Sequence, residues 1–243
     1  MDPEPPHPAD PARRLEGAPP TPRPSWNGRG HARTSWQRWA RAIEVKRRRT
    51  QNGNPARFYC SRPVLARSAY ASFRLEGMEI DEAQVLAAIA VGSERRAFRT
   101  RQAQRVRNHV AIQLHIARKL RSREALLPAA VVRWYTSISC GLCPGELADG
   151  AHDRLATLLH RINAPELRLR AALHDIARLH VQLMNEPLVP SFNGILARLL
   201  LHYHLGRCGF PLVLFDPATP AATLRQGKTF LPLLMQLIEQ SYA

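Results

Sequence analysis

Side chains able to do chemistry cluster in one stretch, LHVQLMNEPLVPSFNGILARLLLHYHLGRCGFPLVLF, from Leu179 to Phe215. Its first part is an apolar-periodic helix that must stop before Pro187 and Pro190, since proline removes a backbone donor and restricts the residue before it. After this loop Asn193 and Gly194 can take left-handed or turn geometry at the start of a second helix. Free N–H groups there form a place where a phosphate can bind. Arg198 follows one turn later and is the only charge on that helix before Arg207. An isolated cation on a helix carrying Ile195, Leu196, Leu199, Leu200, Tyr203 and Leu205 needs a phosphate or a carboxylate, because an unpaired buried charge is strongly destabilising. Glu76 has the converse problem. It ends a helix over residues 64 to 76, VLARSAYASFRLE, halted by Gly77, and a carboxylate opposes the dipole at a helix C-terminus unless a cation faces it.

Other reactive groups suggest less. Cys140-Gly141-Leu142-Cys143 is a C-x-x-C, yet neither a second ligand pair nor a helix starting behind its first cysteine is evident, so it reads as a loop pair. The other cysteines, Cys60 and Cys208, complete no disulfide framework at this length. His152-Asp153 and His174-Asp175 lack both the H-E-x-x-H spacing and a nucleophile on a sharp glycine turn. They read as core or surface histidines, as do His180, His202 and His204, with His180 on a helix interior.

The elements that must position these groups are helical. Asp81 caps a helix through DEAQVLAAIAVG; Phe98 to Leu120 is a long helix with Val106, Val110, Leu114 and Ala117 as its buried stripe; Leu126 to Ile138 is another. CGLCPGELADGAHD reads as a loop, and residues 229 to 239, TFLPLLMQLIE, close the chain as an amphipathic helix. Seven or eight helices in one all-α domain are expected, with helix packing dominating stability. Residues 1–35 are too rich in proline and polar groups to bury themselves and read as a disordered Pro/Arg-rich arm, and residues 36–63 as a basic linker helix ending near the turn signal Gln51 to Pro55.

A net charge of +16 on 243 residues comes almost wholly from residues 1–57, with twelve Lys/Arg against five Asp/Glu, and residues 94–124, with ten against two. Such blocks can neutralise nucleic-acid phosphates. Arginine outnumbers lysine everywhere, however, which also follows from a coding bias toward Arg, Ala and Pro. Trp26, Trp36 and Trp39 among arginines could stack on bases, lie on an anionic surface or pack against the main domain. Arginines 95, 99, 101, 105 and 107 are expected mostly on a solvated face. No apolar run approaches the ~18 residues of a membrane span, and no apolar core of a signal peptide follows Met1, so a cytoplasmic protein is expected.

The stretch around Asn193 resembles the motif of the Fic (Fido) family, H-P-F-x-[DE]-G-N-[GK]-R-x-x-R between two core helices. Without a gap Asn193, Gly194 and Arg198 fall on its N, the next G and its last R, and ARLLLHYHLGRCGFP is similar to the usual continuation. His180, seven residues before the motif, sits where the family commonly has a helix histidine. Ser72-Phe73-Arg74-Leu75-Glu76-Gly77 resembles the family's inhibitory-helix motif [ST]-x-x-x-E-[GN]. The resemblance covers about residues 64 to 240. It implies a Fic/Fido-like helical domain over 64–243, with a small flap hairpin as an optional addition. It further implies a protein adenylyltransferase relation, in which AMP passes from ATP with Mg²⁺ to protein hydroxyls. By the same resemblance Asn193, Gly194 and Arg198 bind nucleotide phosphate, while Ser72, Glu76 and Gly77 form an inhibitory element in which Glu76 pairs with Arg198.

Departures from the motif fall on its chemistry. Pro187 stands where the family has its histidine base, Leu188 and Val189 where it has Pro and Phe, Ser191 at the metal-holding acid, Phe192 at the first loop glycine and Ile195 at the first arginine. Losing a general base alone typically costs ~10²–10⁴ in rate. The expectation is a catalytically impaired relative acting as a pseudoenzyme or regulatory binding module with an unknown protein partner. A transferase using another base, such as Glu186, and a basic nucleic-acid binder are the alternatives.

Overall fold

The computed structural model describes residues 29–52, 59, 61–90, 100–140, 147–165 and 168–242. Ten helices form: α1 (Arg29–Asn52), α2 (Arg62–Leu75), α3 (Glu82–Ala90), α4 (Arg101–Ser122), α5 (Pro128–Ser139), α6 (Ala151–Asn163), α7 (Leu169–Asn185), α8 (Asn193–Arg207), α9 (Ala221–Arg225) and α10 (Gly227–Ser241). Among the described residues there is no strand, so the all-α expectation holds. The optional flap hairpin has no counterpart among them, and residues 141–146 of the expected glycine-rich loop lie outside them.

The chain divides into two compact units, residues 1–39 and 40–243. In the first, Trp36 and Trp39 stack with ring centroids 5.3 Å apart. Helix α1 starts at Arg29, inside the segment expected to be a disordered arm, because no proline interrupts the chain between Pro24 and Pro55. Its last described residue, Asn52, falls at the expected turn signal Gln51 to Pro55, and residues 53–58 and 60 lie outside the described residues.

The second unit is organised around α8. From Gly194 to Gly206 every residue of this helix is buried, as an element apolar on all sides requires. Helices α2, α4, α6 and α7 pack against it. Gly206 permits the close approach of α4, since a Cβ there would come within 2.3 Å of Leu120 Cδ1. The Tyr59 hydroxyl donates to the His202 carbonyl at 2.7 Å.

Three expectations need correction. Leu114 is 41% exposed and not part of the α4 stripe; that face buries Val106, His109, Val110, Gln113, Ile116 and Leu120. Polar side chains at 109 and 113 hid its true course from an apolar pattern. The part of the expected glycine-rich loop from Ala151 onward begins α6, whose first turn follows a left-handed Gly150 (φ 67°). Finally, the described residues hold ten helices where seven or eight were expected, because α6 and the five-residue α9 were read as connections.

Candidate functional site

The site is built by the ends of two helices. Helix α2 stops in a Schellman arrangement: Met78 N donates to Phe73 O at 3.1 Å and Gly77 N to Arg74 O at 2.9 Å, with Gly77 left-handed at φ 76°. This leaves Glu76 as the C-cap, its carboxylate directed at the start of α8. Helix α8 begins after Phe192, which takes a left-handed φ of 57° and offers no side-chain cap. Asn193 staples the preceding loop: its Nδ2 donates to Leu183 O at 2.7 Å, and its Oδ1 accepts from Leu188 N at 3.0 Å. Its side chain is thereby committed to the loop, and a ligand would meet only its backbone N–H.

Arg198 lies one turn further on and is 1% exposed. Its Nη2 donates to the Ser72 carbonyl at 2.8 Å and to Glu76 Oε1 at 3.0 Å, and its Nε to Ser72 Oγ at 3.2 Å. The acid and the base thus meet across 122 positions of sequence. Arg198 Nη1 is buried with no hydrogen-bond partner. Gly194 matters here for space: a Cβ at this position would stand 2.0 Å from Glu76 Oε1 and 3.1 Å from Arg198 Nη1. Only a residue without a side chain lets a carboxylate rest against the positive first turn of α8.

Neutral imidazoles surround the pair. His109 of α4, His180 of α7 and His202 of α8 are all fully enclosed. Burial, then the charges of His202 and Arg198, push His109 down to about 3. Burial and then Arg198 push His180 down to about 3. Burial takes His202 down to about 4, although its Nε2 lies 3.1 Å from the Val213 carbonyl, which opposes the shift. His180 also stacks on Phe230 with centroids 4.4 Å apart. Burial pushes Arg198 itself downward while Glu76 pulls it back. At neutral pH the charges at this spot are therefore Arg198 against Glu76.

Ser72, Glu76, Gly77, Gly194 and Arg198 come together as one constellation. Pro187 is exposed at the loop, and its carbonyl accepts from Arg154 Nη2 at 3.3 Å. Leu188 and Val189 are buried. His152, Asp153 and His174 are exposed. Asp175 sits apart from the constellation, pairing with Arg161 and, at 2.8 Å, with Arg178. Cys140 caps α5 in left-handed geometry, and Cys143 lies outside the described residues, as do Arg95 and Arg99.

Sequence reasoning missed three members. His109 and Gln113, whose Nε2 donates to Ser68 Oγ at 2.6 Å, interrupt an apolar face and carry no motif. Arg105 is one of a row of arginines expected in solvent, yet its guanidinium lies 4.8 Å from the centre of the Phe192 ring. No local signal separated it from its neighbours.

No protein-family model matches the sequence, and no curated protein matches it. Solved structures do. Two forms of Fic-1 from C. elegans superpose with a TM-score of 0.69: a glutamate-to-glycine variant at 15% identity over 87% of this chain and 72% of that one, and a second form at 17% over 88% and 72%. A Fic-domain-containing signaling protein from Bacteroides thetaiotaomicron gives 0.66 at 14% identity, over 84% of this chain and 94% of that one. The likeness extends along most of the chain and shows the fold alone: an all-α fold like that of Fic domains.

Proposed function

We propose that this chain is a Fic-related protein that keeps the phosphate cradle and has lost the transfer chemistry, acting as a regulatory binding module whose anion site is closed by its own Glu76. The observation that carries this reading is the 3.0 Å contact of Glu76 Oε1 with Arg198 Nη2, made against a first turn of α8 that only Gly194 leaves open. A carboxylate standing where helix N–H groups and a buried guanidinium converge occupies the place of a phosphate.

The residues fit the phosphates of a nucleotide such as ATP: Arg198 Nη1 lacks a partner, and the cradle accepts an anionic oxygen already. They do not fit a divalent metal. Positions 187 to 192, PLVPSF, carry no carboxylate, and among the described residues no three His, Cys, Asp or Glu gather to hold one. Nor does Pro187 offer an atom that accepts a proton, so the deprotonation that hydroxyl transfer requires has no agent there.

The test is thermal unfolding with and without ATP, alongside incubation with labelled ATP. Wild-type protein should show no ATP-dependent rise in Tm, Glu76→Ala should show one, and neither should transfer label to itself or to lysate proteins. No rise in Glu76→Ala would remove the cradle, and transferred label would remove the loss of catalysis.

A further inference from the structure

We infer that Arg105 is a second phosphate-binding cation of this site, which suits it to a ligand with two or more linked phosphates. The inference rests on reading the start of α8 as a phosphate site, and it is carried by a separate set of observations. Arg105 belongs to α4, and its guanidinium covers the ring of Phe192, the residue that immediately precedes α8, at 4.8 Å. Its Nε is buried with no hydrogen-bond partner, and among the described residues it forms no ion pair with any carboxylate.

Three features of this placement are unfavourable for a purely structural arginine. A cation beside a helix N-terminus is repelled by the positive end of the dipole. Arg198, one turn inside the same helix, adds like charge and has only the single carboxylate of Glu76 to balance it. A buried N–H without an acceptor forfeits its hydration. Stacking on Phe192 offsets only part of this, since a cation over an aromatic face contributes about 0.5–2 kcal/mol. One polyanion would resolve all three. A phosphate in the Gly194 cradle would take the free Nη1 of Arg198, and a phosphate joined to it would reach the guanidinium over Phe192. Helix α8 supplies no cation of its own for that second position, because its first turn reads Asn-Gly-Ile-Leu.

The experiment is calorimetric titration of the full chain carrying Glu76→Ala, with inorganic tripolyphosphate and with orthophosphate. Tripolyphosphate should bind more tightly than orthophosphate. Adding Arg105→Gln should weaken tripolyphosphate about tenfold or more, as expected for one charge-assisted contact, while changing orthophosphate little. Arg105→Lys should restore part of the loss, and thermal melts without ligand should show all variants folded. Unchanged tripolyphosphate binding in Arg105→Gln overturns the inference and leaves the phosphate site standing. Equal weakening of both anions, or failure of Lys to restore any of it, also overturns it, by making Arg105 a prop of the loop. If the Glu76→Ala protein binds neither anion, the phosphate site and the inference fall together.

Discussion

Two arginines are buried among the described residues, and their surroundings differ in a way that separates architecture from function. Arg47, 3% exposed, contacts both oxygens of Glu44 at 2.8 and 3.0 Å, gives Nη1 to the Cys208 carbonyl at 2.9 Å and lies 5.6 Å from the Phe210 ring. Its carboxylate comes from the preceding turn of its own helix. Arg198 draws its carboxylate from a different helix and keeps Nη1 without a partner. A closed set of partners fixes α1 to the chain near Cys208. The set around Arg198 leaves Nη1 without an acceptor, and its acid is 22% exposed.

The largest effect that tests this contrast is acid destabilisation, which draws on three imidazoles around Arg198, with buried His204 beside Asp175, pushed down to about 3 by burial and Arg161, adding a fourth. His109, His180 and His202 have folded values of about 3, 3 and 4 against an ordinary 6.5. Unfolded chain takes up these protons and folded chain does not, so stability is complete above about 6.5 and is lost as pH falls toward 3–4. The slope is up to ~1.4 kcal/mol per histidine per pH unit. Urea midpoints measured from pH 7 to 4.5 should fall steeply; a flat profile would mean that the imidazoles around Arg198 are hydrated.

Next comes Arg47→Met, expected to cost about 3 kcal/mol by removing two charge-assisted bonds from Glu44, which keeps Arg48, and one donor from the Cys208 carbonyl, with anion affinity of the Glu76→Ala background unchanged. Urea unfolding and phosphate titration check the two halves. Glu76→Ala should cost less, about 1.5–3 kcal/mol in hydrogen bonding to a charged group, and a phosphate ligand should recover it, which no ligand should do for Arg47→Met. Smallest is Gly194→Ala. Its methyl would stand 2.0 Å from Glu76 Oε1 and push the carboxylate off Arg198, while the helix propensity of alanine returns up to about 1 kcal/mol, so the net cost should fall below that of Glu76→Ala. The methyl would nonetheless fill the cradle, and adding it to Glu76→Ala should abolish the ATP-dependent rise in Tm.

Legibility of the fold followed from how local its causes are. Proline at 187 and 190, Asn193-Gly194, and the Gly206 to Pro211 stop bound α8 at Asn193–Arg207, and Gly77 ends α2 beside Glu76. These are short-range steric effects. Apolar periodicity failed at α4, where His109 and Gln113 occupy core positions and Leu114 does not. Composition failed at the arm, where α1 begins at Arg29. Of the candidate site, Glu76 and Arg198 were each legible as a charge lacking a counter-charge, and the resemblance of two separate motifs implied them as a pair. Arg105 was not legible: as one cation in a row of arginines, it differs from its neighbours only by the ring beneath it.

By itself the sequence determined the helices that carry Glu76 and Arg198, that position 187 is a proline and position 191 a serine, and the need of two isolated charges for partners. Only the tertiary structure decided that those partners are each other, that Asn193 spends its side chain on the loop, that three neutral imidazoles close around them, and that Arg105 lies over Phe192. The reason is physical: backbone sterics act over a few residues, whereas burial and charge pairing act through space between helices more than a hundred positions apart.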